Sequence, residues 1–389
     1  MNRSPPDILW IVTTQWRAQA TGYAGDLNAH TPSLDKLAAG SVNYAQAVTP
    51  HPFGPFARAA LLTGVFSPEN GVRDYFDPLP TTSRTVAHML GERGYETAFF
   101  GKWHLWKRDP AAPLVGETHA KIVVPPEAHG GFQFWEAFEG GFQLNDPWLH
   151  GTRLAGPTRF GGYQPDVLCE RAAGWFLRSS LGIKAQAPRF CIVSLETPHP
   201  PYDAPSAGVM PPDPMSLRLP TNIPRGGEVE AKARRELAGY YAHIEATDRA
   251  IGRLLNAVGD DTQVVFTSVH GDMHGAHGLF RKGWPHEESV RVPLLVRLPG
   301  GQARVSDEAV SLIDLPRLTM GMVDHGALPV VGAEFAAISM PSVVPLPYQC
   351  DRIWHGRRSK KRKQVFNADG SAWLDFDLAR DPDEFENRA

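Results

Sequence analysis

Short apolar runs alternate with amphipathic stretches along the first three quarters of the chain. The runs are apolar on both faces and rich in β-branched or aromatic residues, which is typical of strands buried in a sheet. They are Asp7–Val12, Glu96–Phe100, Phe190–Leu195, Gln263–Thr267 and Pro293–Arg297. Helical periodicity occupies other stretches, at Pro32–Ala39, Ala57–Leu62, Ser83–Arg93, Asp166–Arg178 and Arg234–Val258. This alternation predicts an α/β fold with a doubly wound, mostly parallel sheet sandwiched by helices.

The remaining segments indicate long loops and a smaller second unit. Glycine and proline are dense in residues 110–162 and 204–227, which we interpret as loops that roof a cleft. Near the C-terminus the pattern changes to short β-like pieces. This change predicts a core domain over residues 1–326 and a small C-terminal α+β subdomain over residues 327–389.

Net charge excludes two classes of partner. The 389 residues include 39 Lys and Arg against 42 Asp and Glu, which gives a formal net charge of −3. No bulk positive field exists to bind nucleic acid or an anionic membrane, so the balance favours a protein that binds small molecules. The one basic stretch, Arg357–Lys363, is interpreted as a solvated strand edge.

The cysteines and the N-terminal segment bear on the cellular compartment. Cys169, Cys191 and Cys350 are an odd number without CxxC spacing, which excludes a disulfide framework and a cysteine zinc site. The apolar run Ile8–Val12 is far shorter than a secretory or membrane-spanning segment. We therefore expect a cytoplasmic protein with no membrane partner, and the oligomeric state is left open.

Candidate functional residues directly follow the predicted strands. In doubly wound sheets, ligands bind at the carboxyl ends of the strands. The loops at those ends carry Thr13 and Thr14, Gly101–His104, Thr197–Tyr202 and Ser268–His277. Their lysine and histidine side chains are suited to bind an anion and to transfer protons.

Nearly end to end, the chain carries a series of short motifs. They include Thr31-Pro-Ser-Leu-Asp-Lys-Leu-Ala38, Arg58-Ala-Ala-Leu-Leu-Thr-Gly64, Gly101-Lys-Trp-His-Leu105, Thr197-Pro-His-Pro-Pro-Tyr202, His270-Gly-Asp-Met-His-Gly-Ala-His-Gly278 and Arg291-Val-Pro293. In content and order these motifs resemble those of the sulfatase family of the alkaline phosphatase superfamily. The resemblance implies the sandwich fold of that family and the hydrolysis of sulfate, phosphate or phosphonate esters.

The resemblance also implies a particular set of catalytic groups. A cysteine or serine oxidised to formylglycine is the family's nucleophile. Two consecutive aspartates, together with a later aspartate followed by His or Asn, hold a calcium-type ion through oxygen ligands. Lysine, arginine and histidine residues then stabilise charge and protonate the leaving group.

This sequence departs from the family pattern at every metal-binding acid. Thr13 and Thr14 stand where the aspartate pair is expected, and Val269 stands where an aspartate precedes the histidine. The nearest carboxylate, Asp272, lies downstream of the ligand positions. A hard divalent ion requires several anionic oxygens, so we expect no calcium.

The nucleophile motif is altered as well. The family pattern Cys/Ser-x-Pro-x-Arg falls on residues 53–58, with one residue too many between Pro55 and Arg58. Aligned on the arginine, Gly54 takes the nucleophile position, and aligned on the proline, Phe53 takes it. Neither residue can be oxidised, so we expect no formylglycine and no other cofactor.

The cationic half of the family's site is retained. The residues kept at family positions are Arg58, Lys102, His104, His199, His270 and Lys282. We predict that Arg58, Lys102 and Lys282 bind the substrate, and that both lysines act in catalysis with the three histidines. Imidazoles near their ordinary pKa of about 6.5 predict an anion affinity that rises as the pH falls through about 6 to 7. Zinc bound by the three imidazoles is an alternative.

Three functional hypotheses follow. The first is a divergent sulfatase-like enzyme that acts on a small anionic substrate by a metal-independent His/Lys/Arg acid–base mechanism. The second is a catalytically inactive pseudosulfatase that binds an anionic ligand or a protein partner. The third is a conventional sulfuric or phosphoric ester hydrolase with a substitute nucleophile. The sequence leaves the substrate and the reaction type open.

Overall fold

The computed structural model describes residues 5–177 and 187–389. The strands in these ranges are β1 Ile8–Thr13, β2 Val42–Tyr44, β3 Glu96–Lys102, β4 Phe134–Phe138, β5 Trp148–Gly151, β6 Leu154–Arg159, β7 Arg189–Ser194, β8 Gln263–Ser268, β9 Leu294–Arg297, β10 Arg304–Ser306, β11 Ala336–Met340, β12 Trp354–Arg358, β13 Lys363–Asn367 and β14 Ala372–Phe376. The α-helices are α1 Pro32–Ala38, α2 Gly54–Thr63, α3 Val86–Gly91, α4 Glu117–Ala120, α5 Gln164–Leu177, α6 Glu228–Val258, α7 Glu287–Val290 and α8 Leu315–His325.

Ten strands form the main sheet, in the order β10-β2-β9-β8-β1-β7-β3-β4-β5-β6. The five central strands, from β8 to β4, are parallel to one another. Strand β9 runs antiparallel to β8, and β5 and β6 extend the other edge as antiparallel strands. The predicted mostly parallel α/β sheet is therefore confirmed, with antiparallel strands at its margins.

Strand β1 shows why the sheet is covered on both faces. Ile8, Trp10 and Val12 pack into one apolar cluster, which includes residues of α2, α3 and α8. Leu9 and Ile11 pack into a second cluster, which includes residues of α5 and α6. Alternate side chains of a strand point to opposite faces, so a strand that is apolar throughout requires helices on both sides.

Several predicted boundaries differ from those observed. Residues 110–162, interpreted as loops, contain β4, β5 and β6, while parts of the same segment still line the cleft described below. Helix α6 begins six residues before the predicted start. The predicted helix end at Arg178 falls outside the described residues. No helix in the described ranges combines the length and the apolar character that crossing a bilayer requires.

The C-terminal subdomain is a four-stranded antiparallel sheet in the order β11-β12-β13-β14. Its basic stretch is not the solvated edge that the sequence predicted, because Arg358 and Lys363 are buried. Both side chains form ion pairs with Glu287 of α7, at 2.8 Å and 3.0 Å. These pairs join the subdomain to the core, and the domain boundary at residue 326 stays a prediction.

Candidate active site

A cleft of about 380 Å³ opens at the carboxyl ends of the central strands. Loops that follow β1, β3, β7 and β8 contribute to it, as expected for a doubly wound sheet. Its lining residues are Thr14, Gln15, Phe53, Gly54, Tyr75, Lys102, His104, Leu114, Val115, Phe142, His199, Pro200, Pro201, His270, Arg281, Lys282, Leu346, Pro347, Tyr348 and Gln349. The cleft thus combines buried cationic groups with a largely apolar wall.

Lys102 is the last residue of β3 and carries its ammonium group into the cleft. Its Nζ lies 2.6 Å from Oε1 of Glu196, and both side chains are buried. The ammonium also lies 4.6 Å from the ring centre of Phe142. Burial lowers the pKa of Lys102 to about 8, against the opposing effect of Glu196.

His104 follows two residues later, on a turn with a left-handed backbone at φ 61°. The carboxylate of Glu139 secures this turn, because it accepts hydrogen bonds from the backbone N–H groups of Leu105 and Trp106, at 3.3 Å and 3.0 Å. The Nδ1 atom of His104 is buried and has no hydrogen-bond partner. An unpartnered buried nitrogen that lines a cleft is available to a ligand.

Gly54 is the first residue of α2 and lies opposite His104. A Cβ atom placed on Gly54 would stand 3.0 Å from Nδ1 of His104. The sequence left two alignments of the nucleophile motif open. The alignment on Arg58 puts the nucleophile position at Gly54, which lies against the imidazole of His104. The side chain of Phe53 also lines the cleft.

The two residues that face the cleft after β1 are Thr14 and Gln15, rather than the pair Thr13 and Thr14. Thr13 lies outside the lining, and its hydroxyl donates to the carbonyl of Thr267 at 3.1 Å. The hydroxyl of Thr14 donates to the carbonyl of Leu195 at 2.9 Å. The pair of residues that faces the cleft is thus shifted by one position from the predicted pair, to Thr14 and Gln15.

Gln15 is held rigidly by the loop after β8. Its Nε2 donates to Oδ2 of Asp272 and, at 3.3 Å, to the hydroxyl of Tyr202. Tyr202 itself donates to the same carboxylate at 2.7 Å. Asp272 is fully buried, and contacts with His274 and Arg281 hold the pKa of its carboxyl well below the ordinary value. This network fixes Oε1 of Gln15 towards Lys282.

Lys282 contacts two polar side chains of the cleft. Its Nζ donates to Oε1 of Gln15 at 2.5 Å and lies 3.0 Å from Nε2 of His199. Nδ1 of His199 lies 2.7 Å from the carbonyl of Pro200, so Nδ1 carries the proton and Nε2 accepts from the ammonium. Burial, with the positive charge of Lys102, lowers the pKa of Lys282 to about 7.

His270 and Val269 follow β8. Nδ1 of His270 lies 2.9 Å from the carbonyl of Gly271, whereas Nε2 is buried without a partner. Val269 is fully buried and belongs to an apolar cluster of the core. A Cβ on Gly271 would clash with the carbonyl of Glu288, so this turn requires glycine whether or not the histidine acts on a ligand.

The three cleft histidines, His104, His199 and His270, differ from the sequence expectation in their protonation. Burial lowers the pKa of each well below 6.5, and nearby cations lower it further. All three are therefore neutral at pH 7, and the lysines rather than the histidines titrate near neutrality.

The same histidines do not form a zinc site. In the described ranges, only His277, Glu288 and Glu384 form a group of three metal-ligand residues with all ligand atoms within 4.8 Å of one another. The cleft histidines do not converge to that extent, because they follow different strands and each points into the cleft from its own side. The three cleft histidines therefore do not have the arrangement that the alternative of a zinc site requires.

Arg58 lies behind the cleft wall rather than in it. Its guanidinium donates to the carbonyl of Lys102 at 3.1 Å, to the hydroxyl of Ser194 at 2.6 Å and to that of Thr14 at 2.8 Å. The residue is buried and is not part of the lining. Its contacts position the β3 end and the β1 loop, and its predicted contact with a substrate stays a prediction.

Some residues of the cleft were missed at the level of sequence. Glu196 directly follows the predicted strand Phe190–Leu195, and a carboxylate at that place was a usable signal. Gln15 follows Thr14 and was equally visible. Residues 346–349 gave no signal, because they lie in the C-terminal part of the chain and reach the cleft only through tertiary packing.

Comparison with known proteins identifies relatives over most of the chain. A profile of the family described as Sulfatase matches residues 6–325. The ulvan-active sulfatase of Formosa agariphila is 37% identical over 306 residues, which are 76% of this chain and 56% of that protein. The arylsulfatase of Clostridium perfringens is 26% identical over 98% of this chain and 90% of its own length. This chain thus spans little more than half of the first relative.

Solved structures share the fold. One, determined in complex with its substrate D-glucosamine-2-N,6-O-disulfate, has a TM-score of 0.79 at 20% identity and covers 99% of this chain and 93% of that one. The phosphonate monoester hydrolase of Agrobacterium radiobacter has a TM-score of 0.70 at 22% identity, with coverages of 98% and 91%. At these identities the likeness shows the fold alone.

Proposed function

The chain belongs to the sulfatase family, and we propose that it is a divergent member that binds a small anionic substrate and acts on it by metal-independent acid–base chemistry. The observation that carries this proposal is the contact between Lys282 and Gln15, which puts an ammonium group against a residue of the family's metal-binding loop. The sequence relatives from Formosa agariphila and Clostridium perfringens, both named as sulfatases, support an anionic substrate.

The donor set of the cleft does not fit a calcium ion. Thr14 is neutral, and its hydroxyl is used by Leu195 and Arg58. Val269 offers no donor atom. The amide oxygen of Gln15 accepts from an ammonium group at 2.5 Å, which a dication would have to displace. Calcium requires several anionic oxygens to offset its dehydration, and this set supplies none of them.

A substitute hydroxyl or thiol nucleophile for ester hydrolysis finds little support in the cleft. Gly54 has no side chain, and the three cysteines are buried outside the lining. The hydroxyls among the lining residues belong to Thr14, Tyr75 and Tyr348. That of Thr14 already takes part in two hydrogen bonds, and neither tyrosine is paired with a base of the kind that activates a hydroxyl.

The remaining residues of the cleft supply the charge and the hydrogen bonds that an anion site requires. Lys102 and Lys282 supply positive charge in a dry environment, where a charged hydrogen bond is strongest. The unpartnered nitrogens of His104 and His270 belong to neutral rings. Nε2 of His270 accepts, because Nδ1 carries the proton, and Nδ1 of His104 donates or accepts according to the tautomer. His199 is joined to Lys282 and exchanges a proton with it. The inactive pseudosulfatase is the alternative that the following measurements distinguish.

We expect the affinity for sulfate to fall about tenfold between about pH 6 and about pH 8. Sulfate binds best to the charged form of Lys282, whose pKa is about 7 in the free protein, so bound sulfate raises that pKa and the complex weakens as the ammonium loses its proton. Calorimetric titration at constant ionic strength measures this, since salt screens the interaction. The direction agrees with the sequence expectation, but the titrating group is a lysine.

Two variants test the assignment. Lys282→Gln should lose most of the pH dependence together with affinity, whereas Lys361→Gln, at an exposed position, should behave as the wild type. Sulfate affinity that is independent of pH, or equal in Lys282→Gln and wild type, would remove Lys282 from the anion site. The pseudosulfatase with a ligand surface elsewhere would then be favoured.

Returning the family's side chains is not expected to restore sulfatase activity. The variant combines Gly54→Cys, Thr14→Asp, Gln15→Asp and Val269→Asp, and is co-expressed with an enzyme that oxidises cysteine to formylglycine. A side chain at Gly54 would crowd His104, and Lys282 would pair with the new carboxylates in place of an ion. Hydrolysis of an aryl sulfate is the readout, with circular dichroism as the folding control. Clear turnover would show that the cleft keeps the family's geometry.

A further inference from the structure

We propose that Lys282 is an amine nucleophile that forms an imine with the carbonyl group of a small anionic oxo acid bound in the cleft. This inference rests on the anion-binding function proposed above and names the substrate class. It follows from the surroundings of Lys282, which combine a base, an orienting group, a second ammonium and an apolar wall.

The base is His199. Its Nε2 lies 3.0 Å from Nζ of Lys282, which is hydrogen-bond distance. Its Nδ1 is held by the carbonyl of Pro200 at 2.7 Å, and its ring stacks on that of Phe142 with centres 4.6 Å apart and planes at 2°. A nucleophile, a base in contact with it, and a group that orients the base form the arrangement by which covalent catalysts are activated.

The charge state of Lys282 suits this role. An amine attacks a carbonyl only after it has lost its proton, and an ordinary lysine retains it at neutral pH. Burial and the nearby charge of Lys102 lower the pKa of Lys282 to about 7, so a large share of the molecules carries the free amine at pH 7. Desolvation together with a neighbouring cation is a known means of activating a lysine.

Gln15 directs the amine. Its Oε1 accepts one hydrogen of Lys282, and His199 accepts another. Gln15 is itself fixed by Asp272 and Tyr202, so it cannot turn away. When a proton passes to His199, the lone pair of the nitrogen is left along that contact. Rotation of the free amine, with Gln15 still accepting one hydrogen, then turns the lone pair towards the cleft, where a carbonyl carbon can approach.

The rest of the cleft selects an anionic carbonyl compound. Lys102, which is already paired with Glu196, can donate a further hydrogen bond to a carboxylate, as can the unpartnered Nδ1 of His104 in the tautomer that carries the proton there. The opposite wall is apolar and includes Phe53 and Tyr348. A volume of about 380 Å³ admits a short oxo acid with an apolar substituent. Sulfate or phosphate satisfies the anion site but offers no carbonyl carbon.

The covalent step balances without an oxidant or a reductant. The Lys282 amine adds to the carbonyl carbon, its proton having passed to His199, and the carbonyl oxygen becomes a hydroxyl. His199 returns that proton to the hydroxyl, which leaves as one water molecule. The carbon–nitrogen double bond that remains, with one proton on nitrogen, is the protonated imine. Hydrolysis reverses each of these steps and frees the lysine.

The test is reductive trapping at pH 7. The full chain is incubated with glyoxylate or pyruvate and then with sodium cyanoborohydride, which converts an imine into a stable secondary amine. Intact-mass analysis and peptide mapping locate the adduct. We expect one adduct per chain at Lys282, with a yield that saturates with oxo acid and falls when lactate, which has no carbonyl group, competes for the cleft.

Matched variants separate this site from general lysine chemistry. Lys282→Arg keeps the charge and loses the amine, so the adduct should disappear, while Lys361→Arg should trap as the wild type does. His199→Gln should slow trapping at least tenfold. Where Lys282→Arg does not fold, the mapped position and the lactate competition in the wild-type protein decide the question.

The outcomes also separate this inference from the function on which it rests. If sulfate and lactate bind but no adduct forms at Lys282, or if adducts spread evenly over exposed lysines, the imine is excluded and the anion site stands. If neither sulfate nor lactate binds in the cleft and no adduct forms there, both proposals are wrong.

Discussion

Replacing Glu287 by glutamine is expected to lower the free energy of unfolding by about 3–5 kcal/mol, since the buried guanidinium of Arg358 loses its carboxylate and Lys363 keeps only Glu384. Arg358 donates to Glu287 through Nε at 3.3 Å and Nη2 at 2.8 Å, and Lys363 contacts it at 3.0 Å. Both cations are buried and belong to the C-terminal sheet. Urea denaturation followed by tryptophan fluorescence measures the loss.

The matched control is Asp307→Asn, which removes the exposed ion pair of Asp307 with Lys360 in the same basic stretch. Exposed pairs contribute less than about 1 kcal/mol, so this variant should differ little from wild type. The pKa of Glu287 lies well below its ordinary value, because Arg358 and Lys363 stabilise the anion against burial. Its contribution is therefore present above pH of about 4.3 and lost as the pH falls further. Equal losses in both variants would contradict the interpretation.

The second large effect is expected for Gly239→Ala in helix α6, at about 3 kcal/mol or more, because overpacking against backbone forces a shift of packed elements. A Cβ on Gly239 would fall well inside contact distance of the carbonyl of Tyr202. The hydroxyl of Tyr202 supports Gln15 and Asp272, so the surviving folded protein should also bind sulfate more weakly. Thermal unfolding and calorimetric titration measure the two effects.

Gly174→Ala in helix α5 is its control. Nothing lies within 4 Å of a Cβ at Gly174, so alanine gains its helix propensity there at no steric cost. The expected change is a stabilisation of about 1 kcal/mol, opposite in sign to Gly239→Ala. Destabilisation of both variants to the same degree would show that packing at Tyr202 is not the cause.

The central sheet was predictable because its strands are buried on both faces. Ile8–Thr13 and Gln263–Ser268 are buried at every position, and their centres are apolar runs of β-branched and aromatic residues. The strands at Phe134–Phe138 and Leu154–Arg159 were missed, because they lie among glycines and prolines in a segment that reads locally as loop. Their pairing with neighbours, rather than their own composition, makes them strands.

The identity of the cleft's cations could be inferred from sequence, but their charge states could not. Lys102 and the cleft histidines occupy the loops that the strand pattern had indicated, and Lys282 was identified through the family resemblance. Their pKa values depend on burial and on one another, which no linear motif records. The histidines were therefore expected to titrate, whereas the structure keeps them neutral and shifts titration to the lysines.

The prediction that Arg358 and Lys363 face solvent was wrong for a related reason. In sequence they stand in a run of basic residues, which ordinarily faces solvent. In the structure, two members of that run turn inward to Glu287 and the others remain outside. Alternate side chains of a strand point to opposite faces, and Glu287, which is distant in sequence, lies on the inner face. These two facts together distinguish the buried basic residues from the exposed ones.

The wall built by residues 346–349 sets the order in which the cleft is completed during protein synthesis. Gln349 accepts from the backbone N–H of Lys282 at 3.2 Å, and the N–H of Cys350 donates to the carbonyl of Lys282 at 3.3 Å. The core strands leave the ribosome first and can pair before this segment exists. A nascent chain halted ahead of residue 346 would therefore lack the residues that contact the backbone of Lys282, and the cleft is complete only after residues 346–349 have emerged.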